Sequence, residues 1–311
     1  MPEIALQIRG LSKNYGALTA VSDLNLEVYE GEVFGFLGPN GAGKTTSINM
    51  MCGLLKPNSG EVFIHGTALD SHSDIQQRVG VCPQSIILWN SLTCIEQLIF
   101  IGEMYDLPAR VARARAEDLL EVMQLTEKRD QLAKNLSGGM QRRLNLIMAL
   151  VHDPEILVLD EPEAGLDPQS RVLVRDFIKS LARKKTIILT THNMDEADRV
   201  ADRVAIIDHG QLLALGTPDE LKAQVGQGDV LEFTMLEPGM AERYRSLLSP
   251  VCADITSHAD NLILRSRGIV ELLPRILEIL RQNELHPEDL RLRQNSLEDV
   301  FITLTGRRLR E

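Results

Sequence analysis

The chain carries a glycine-rich segment whose residue types and spacing are suited to holding phosphate groups. The segment reads Gly38-Pro39-Asn40-Gly41-Ala42-Gly43-Lys44-Thr45-Thr46, which fits the pattern G-x-x-x-x-G-K-[ST] of a phosphate-binding loop. The glycines let backbone N–H groups close around phosphate oxygens, and the start of the following helix adds its positive dipole. In this motif Lys44 reaches the β- and γ-phosphates and the Thr45 hydroxyl binds Mg²⁺. The segment therefore predicts a nucleotide site.

Two adjacent acids, Asp160 and Glu161, come at the end of a continuous apolar run that begins at residue 156. Such a run indicates a buried strand, and a carboxylate at the end of a buried strand can hold Mg²⁺ or its waters. Taken alone, the two acids would more simply be a polar pair on the surface. Because a phosphate loop and the segment Ser137-Gly138-Gly139 precede them, Asp160 is instead predicted to be a magnesium ligand.

A third segment lies between the phosphate loop and these acids. It reads Leu136-Ser137-Gly138-Gly139-Met140-Gln141, and Ser137 is suited to cap a helix predicted at residues 138–152. A phosphate loop alone indicates only that a nucleotide binds, but with this segment the chain resembles the ATP-binding cassette (ABC) family along most of its length. In that family two copies face each other, and each lends this segment to the ATP bound by the other. The resemblance implies a homodimer, or a dimer with a paralogous ATPase, that binds ATP and Mg²⁺.

The resemblance also implies roles for five residues. Glu161 matches the glutamate that polarises the attacking water, and His192 matches the histidine that contacts the γ-phosphate. Gln84 matches the glutamine that contacts Mg²⁺ and water, and Asp167 matches the residue that couples the two sites. Tyr15 matches the aromatic residue that stacks on adenine. Taken singly, each has a simpler structural explanation; Asp167, for example, is also suited to cap a helix predicted at residues 168–183.

The predicted site thus has three groups of residues. The predicted catalytic residues are Glu161 and His192. The predicted magnesium ligands are Thr45, Gln84 and Asp160. The predicted ATP contacts are Tyr15, Gly38, Pro39, Asn40, Gly41, Ala42, Gly43, Lys44, Thr45, Thr46, Gln84, Ser137, Gly138, Gly139, Asp160 and Asp167. No residue that hydrolysis requires is missing, which favours an active ATPase over a non-hydrolysing scaffold protein.

Two residues depart from the common family pattern. Met140 stands where many members have glutamine, a variant familiar among the ATPases of drug and polysaccharide exporters. Glu163 stands where threonine or serine is common, and it places a third acid close behind Glu161. The sequence alone leaves the role of this third acid open.

The elements that must position these residues alternate between strands and helices. A short apolar strand at 33–37 runs into the phosphate loop, and a helix follows at 44–54, which is the order that the motif requires. A helical pattern at 92–124 indicates a helical subdomain, about residues 90–152. The alternation of strands and helices predicts an α/β P-loop NTPase fold with a mostly parallel sheet over residues 1–225.

The remaining residues predict a second, smaller domain. Gly226-Gln227-Gly228 is typical of a linker. After it, residues 229–311 have the element order βαββαβ followed by a short helix. This order predicts an α+β domain of the ferredoxin-like kind.

The composition limits the possible partners. The chain has 311 residues, a net charge of -11 and only 4% aromatic residues, which argues against nucleic acid as a partner. None of the four cysteines forms a C-x-x-C pair, which argues against zinc. With no signal peptide and no apolar run of about 20 residues, we expect a cytoplasmic chain. It would be peripheral on the inner face of the cell membrane, attached through a separate permease.

The end of the chain favours export. The segment Asn295-Ser296-Leu297-Glu298-Asp299-Val300-Phe301-Ile302-Thr303-Leu304-Thr305-Gly306-Arg307 resembles the C-terminal signature of daunorubicin-type resistance ATPases and related ABC-2 export systems. The resemblance implies an ATP-hydrolysing subunit of an ABC-2-type exporter for a drug, lipid or polysaccharide, with separate integral membrane permease chains. The alternatives are an importer ATPase, which would be expected to carry an OB-like tail, and a non-transport ABC ATPase.

Overall fold

The computed structural model describes residues 2–69, 77–225, 229–235, 240–258 and 261–306. The chain forms two compact units, Met1–Thr217 and Pro218–Leu309. The sequence predicts the boundary at 226–228, which lies outside the described residues, as does Arg307 at the end of the C-terminal signature. In the structure the division falls earlier, so the helix Pro218–Val225 belongs to the second unit.

The strands of the first unit are β1 (Ile4–Tyr15), β2 (Leu18–Tyr29), β3 (Val33–Leu37), β4 (Ser59–Ile64), β5 (Thr67–Ala68), β6 (Val79–Cys82), β7 (Ile156–Asp160), β8 (Thr186–Thr191), β9 (Arg203–Asp208) and β10 (Gln211–Gly216). Its helices are α1 (Lys44–Met51), α2 (Cys94–Met104), α3 (Ala109–Val122), α4 (Gly138–Met148), α5 (Pro168–Leu181) and α6 (Met194–Val200). The helices α4 and α5 begin where the sequence predicts, and both end a few residues earlier.

The central sheet of the first unit has the strand order β10-β9-β3-β8-β7-β6. All its pairs are parallel except the one between β9 and β10 at the edge. The strands β3, β7 and β8 are buried along their whole length, which explains their nearly continuous apolar sequences. Because parallel strands end at the same edge of a sheet, the segments after β3, β6, β7 and β8 meet there. Ligands bind at this edge in open α/β sheets.

A second sheet of the first unit is antiparallel, in the order β2-β1-β4-β5. The sequence predicts strands at 4–9, 24–28 and 60–65, which overlap β1, β2 and β4, but these patterns do not separate them from the parallel sheet. The physical reason for the separation is the connection between β1 and β2. Only two residues, Gly16 and Ala17, join them, and so short a connection allows only antiparallel pairing.

The helices α2, α3 and α4 form the predicted helical part of the first unit. They pack through buried apolar residues that include Leu98, Leu120 and Leu144. Thr93 caps α2 with a reciprocal capping box to Glu96, which satisfies backbone donors at the start of the helix. Helix α4 begins at Gly138 directly after Ser137, so this packing fixes the direction in which the Ser-Gly-Gly segment faces.

The second unit contains α7 (Pro218–Val225), β11 (Asp229–Met235), α8 (Ala241–Leu248), β12 (Asp254–His258), β13 (Asn261–Ser266), α9 (Ile269–Gln282), β14 (Pro287–Arg293) and α10 (Leu297–Thr305). Its antiparallel sheet has the order β12-β13-β11-β14. Phe233 and Leu264 of the sheet pack against Leu248 of α8 and Ile276 of α9. The predicted βαββαβ order and the antiparallel sheet domain are therefore confirmed.

The C-terminal signature is built around a buried acid, Asp299, whose side chain is 1% exposed. Its carboxylate accepts hydrogen bonds from Arg293 Nη1 at 2.5 Å and Nη2 at 2.9 Å. It also accepts bonds from the backbone N–H and the hydroxyl of Ser296, both at 2.9 Å. Burial by itself raises the pKa of Asp299, but these bonds and the charge of Arg293 outweigh burial and hold the pKa below its ordinary value.

We expect Asp299→Asn to destabilise the second unit by about 3 kcal/mol at neutral pH, since it removes the buried negative charge beside Arg293 and leaves that guanidinium with Glu232 as its acidic partner. The depressed pKa of Asp299 gives stability that is present above the unfolded-state value and is lost as the pH falls below about 4. Differential scanning calorimetry of both proteins checks this. The variant should melt at a lower temperature at pH 7, and the difference should shrink below pH 4. Equal melting temperatures at pH 7 would contradict the conclusion that the Asp299 carboxylate stabilises the second unit.

Candidate active site

The phosphate loop follows β3 and opens helix α1. Gly41 and Gly43 have φ values of 81° and 100°, a region that favours glycine. A Cβ atom on Gly43 would also lie 2.4 Å from the carbonyl oxygen of Ala20, so neither conformation nor space allows a side chain there. Lys44 Nζ donates hydrogen bonds to the carbonyl oxygens of Gly38 at 2.8 Å and Pro39 at 3.0 Å. The loop thus wraps around the lysine that the motif assigns to the phosphates.

Lys44 is buried beside the two acids of the site. Burial lowers the pKa of Lys44, while the charges of Glu161 and Asp160 act in the opposite direction, and the net shift is downward. The two carboxylates are therefore close enough to Lys44 to interact with it electrostatically. The segments after β3 and β7 form one site.

Asp160, at the end of β7, is buried and has two hydroxyl neighbours. Thr45 Oγ1 donates to Asp160 Oδ2 at 3.5 Å, and Thr190 Oγ1 donates to Asp160 Oδ1. Mg²⁺ prefers hard oxygen ligands and keeps several waters, with one or two carboxylates and substrate phosphates completing its shell. The donor set of Thr45 and Asp160 fits this requirement. Thr190 was not predicted from the sequence, because a threonine inside a buried strand belongs to no motif.

Glu161 lies where the loops after β6, β7 and β8 contact one another. Its side chain is 8% exposed, and its backbone N–H donates to both the carbonyl oxygen and the hydroxyl of Thr190 at 3.1 Å. Its Oε2 accepts from Gln84 Nε2 at 3.1 Å, and its Oε1 lies 2.9 Å from His192 Nδ1. The backbone of Glu161 has a φ of 48°, a strained value for a side-chain-bearing residue that surrounding structure must enforce. The structure thus brings Gln84, Glu161 and His192 together.

Arg142 of α4 holds the Gln84 loop and the loop after β7 together. This residue was not predicted from the sequence. The buried guanidinium donates to backbone carbonyl oxygens of the Gln84 loop and of the loop after β7, at 2.6–3.3 Å. Those carbonyls belong to Pro83, Gln84, Asp160, Glu161 and Pro162. The only signal in the sequence was its place after Ser-Gly-Gly, where Arg142 and Arg143 look alike. Arg142 therefore links the helix that begins with Ser-Gly-Gly to the Gln84 loop and to the loop after β7.

The Ser-Gly-Gly segment and Asp167 lie beside each other. Ser137 Oγ accepts from the N–H of Met140 at 3.3 Å and so caps α4. Asp167 caps α5 by accepting from the N–H groups of Gln169 and Ser170, both at 3.0 Å. A hydroxyl bond from Ser170 and these backbone bonds lower the pKa of Asp167. The capping roles that the sequence suggested are present; the coupling role of Asp167 stays a prediction.

A cavity of about 440 Å³ surrounds the phosphate loop. It is lined by Tyr15, Leu18, Thr19, Ala20, Asn40, Gly41, Gly43, Lys44, Thr45, Thr46, Gln84, Glu161 and His209. The half-exposed Tyr15 lies at one side of it, as an adenine-stacking role requires. Ser137, Gly138 and Gly139 do not line this cavity. A single chain therefore brings together the phosphate loop, Gln84 and Glu161 around this cavity, but not the Ser-Gly-Gly segment.

The fold and the site define a P-loop ATPase of the ATP-binding cassette type. The family model described as "ABC transporter" matches residues 21–164. The chain is 40% identical to the "Nod factor export ATP-binding protein I" of Ralstonia nicotianae, over 98% of this chain and 95% of that protein. It is 37% identical to the "Daunorubicin resistance ATP-binding protein DrrA3" of Streptomyces coeruleorubidus, over 100% of this chain and 99% of that protein.

Among solved structures, the dimeric structure of MJ0796, a bacterial ABC transporter cassette, matches with a TM-score of 0.64 and 25% identity. The match covers 68% of this chain and 98% of that one. The chain therefore belongs to the ABC transporter ATP-binding proteins, as an ATPase subunit of the exporter type. The family resemblance and the ATPase activity predicted from the motifs are confirmed.

Proposed function

We propose that this chain hydrolyses Mg²⁺-bound ATP as a dimer and that closure of the dimer drives export through a separate permease. The observation that carries the proposal is the division of the site. Glu161, Gln84 and the phosphate loop line one cavity, whereas the Ser-Gly-Gly segment lies outside it. A C2 dimer would bring the segment of one copy to the cavity of the other.

The proposed chemistry is mostly positioning and charge stabilisation, because phosphoryl transfer leaves little covalent work to the protein. Lys44 and the loop N–H groups would hold the phosphates, and Thr45, Asp160 and Gln84 would hold Mg²⁺, whose charge would offset the negative charge on the phosphate oxygens. The Glu161 carboxylate orients and polarises the attacking water. His192, half exposed and bonded to Glu161, supplies a second polar contact for the γ-phosphate.

The proposed permease surface is an apolar patch next to the active site, formed by Ile86, Ile87, Trp89, Phe100 and Met104. These side chains are between 38% and 63% exposed. The rings of Trp89 and Phe100 meet edge to face with centroids 5.2 Å apart, so the Gln84 loop and α2 share the patch. An exposed apolar surface of this kind marks an interaction site. A permease segment with an apolar face suits it.

Two contacts connect this patch to the catalytic loops. The N–H of Ile87 donates to Asn145 Oδ1 of α4 at 3.1 Å. Arg142 of the same helix holds the carbonyl of Gln84 at 2.8 Å. Movement of Gln84 on ATP binding and release would therefore displace the residues of the apolar patch. This supports the Gln84 loop as the route between hydrolysis and transport.

We expect Ile87→Asp to abolish attachment to the permease while the isolated protein keeps its ATPase rate. Ile87 is 57% exposed, so the fold tolerates the charge, whereas a charged group buried in an apolar interface is costly. The measurement is co-purification from native membranes with an integral membrane chain that has no phosphate loop. The control is Leu54→Asp, at another exposed apolar residue. Retained attachment of the Ile87 variant, or co-purification with a solute-binding protein, would overturn this assignment.

Of the described helices, none is long and apolar enough to cross a membrane. We propose that the chain is cytoplasmic and held at the inner face of the cell membrane by its permease. The relatives named for Nod factor export and daunorubicin resistance support a drug, lipid or polysaccharide as cargo. In this arrangement the permease selects the cargo and the chain supplies the energy.

A further inference from the structure

A buried ion pair beside the active site has no part in the chemistry described above. Glu163, in the loop after β7, has a side chain that is 3% exposed. Its carboxylate pairs with Arg175 of α5 through two contacts, Arg175 Nη2 to Oε2 at 2.9 Å and Nε to Oε1 at 3.3 Å. Because desolvation offsets most of the attraction in a buried pair, stability alone does not account for this one.

A second acid, the partly buried Glu196 of α6, contacts the loop that carries His192. Its Oε2 accepts from Thr191 Oγ1 at 2.9 Å, and its Oε1 accepts from Asn193 Nδ2 at 3.3 Å. Thr191 and Asn193 are the two neighbours of His192 in the chain. Glu196 as a carboxylate therefore holds the side chains on both sides of the histidine.

The two acids interact electrostatically. Burial raises the pKa of Glu196, and the charge of Glu163 raises it further. The bond from Thr191 and the charges of Arg171 and His192 act against this rise, and the net shift is upward. Arg175 interacts with both acids and with Asp176. The loop of Glu161, helix α5 and the loop of His192 thus share one charge network.

We propose that Glu163 and Arg175 are positioning residues that hold the Glu161 loop and the His192 loop in register for hydrolysis. The pair fixes the loop after β7 to α5, and Glu163 and Arg175 act on the His192 loop through Glu196. Together they maintain the 2.9 Å contact between His192 Nδ1 and Glu161 Oε1. The proposal rests on the roles assigned to Glu161 and His192 under the proposed function. Glu163, which stands where threonine or serine is common in the family, would thus have a role in ATP turnover.

The decisive variant removes both charges, Glu163→Gln with Arg175→Met. Replacing both members of a buried pair leaves no unpaired charge, so the melting temperature should stay near that of the unmodified protein. We expect kcat to fall about tenfold or more, the usual effect of losing a group that orients a functional residue, with KM for ATP unchanged. Wild-type kcat in a stably folded double variant would overturn the proposal.

The pH dependence of kcat gives a second readout, which a merely structural role would not move. Protonation removes the negative charge of Glu196 and turns one of its two acceptor oxygens into a donor, which weakens its bonds to Thr191 and Asn193. We therefore expect kcat to decline as the pH falls through the raised pKa of Glu196. Glu163→Gln removes the neighbouring negative charge and should move the acid limb of the kcat profile to lower pH. An acid limb that does not move in this single variant would contradict the coupling between the two acids.

A matched control is the pair of Glu32 and Arg203, which lies at the opposite end of β3 from the phosphate loop. Glu32 is also buried, and Arg203 Nη1 lies 3.2 Å from its Oε1. Glu32→Gln should lower the melting temperature and leave kcat unchanged. Glu161→Gln, measured in parallel, tests the active-site assignment separately from the positioning role of Glu163 and Arg175. Full turnover in that variant would undermine the site assignment itself, whereas its loss with a normal Glu163/Arg175 double variant overturns only the positioning role.

Discussion

Replacing Glu161 with glutamine is expected to reduce ATP turnover at least about a hundredfold and to leave ATP binding intact. The amide has nearly the same size, so the loop should keep its place, but it carries no negative charge with which to polarise water. The groups that hold the nucleotide, Lys44 and the loop N–H groups, are unchanged. With ATP bound and hydrolysis blocked, the closed dimer should accumulate.

Two measurements check this expectation. Equilibrium binding of a fluorescent ATP analogue should give the same Kd for the variant and the unmodified protein. Gel filtration with Mg²⁺ and ATP should move the variant from the monomer to the dimer position. The control is Glu30→Gln, an acid on the surface away from the cavity, which should behave like the unmodified protein. A variant that still turns over, or an active protein that stays monomeric throughout, would contradict the assignment.

The sequence predicted best what depends on short contiguous motifs. The phosphate loop could be identified because glycine spacing, lysine and the strand–loop–helix order are all local. Gln84, Glu161 and His192 were predicted through family resemblance, and Asp160 from its place at the end of a buried strand. The four residues meet because parallel strands end at one sheet edge. Asp167 and Ser137 were predicted as caps because capping is also a local interaction.

What the sequence did not predict depends on contacts between distant residues. Arg142 differs from Arg143 only in which face of α4 it occupies, and burial of that face depends on the loops after β6 and β7. The partner of Glu163 is twelve residues away on the next helix, with no motif joining them. The antiparallel sheet of β1, β2, β4 and β5 was missed as a separate sheet because strand patterns do not state their partners.

Two inactive variants are expected to restore activity when they are mixed, if the site is shared between copies. Lys44→Ala disables the phosphate loop, and Gly138→Asp disables the segment offered to the partner. A Cβ atom on Gly138 meets nothing within 4 Å in its own chain, and an acid in the first turn of a helix is favourable. Gly138→Asp therefore leaves the fold intact while placing charge and bulk against the phosphates held by the other copy.

Each variant alone should be inactive, since every site in its homodimer has one disabled half. In an equal mixture about half of the dimers are mixed, and each mixed dimer has one site with both halves intact. About a quarter of the unmodified activity should therefore return. If each chain hydrolysed ATP independently, the mixture would remain as inactive as its components.

The control places both substitutions in one chain and mixes that chain with the unmodified protein. In these mixed dimers the intact phosphate loop faces a disabled segment, so only the unmodified homodimers, about a quarter of all dimers, remain active. Independent chains would instead retain about half of the activity. The same two substitutions thus restore activity when they lie on different chains and remove it beyond simple dilution when they lie on one. Only a site assembled from two copies gives this pair of results.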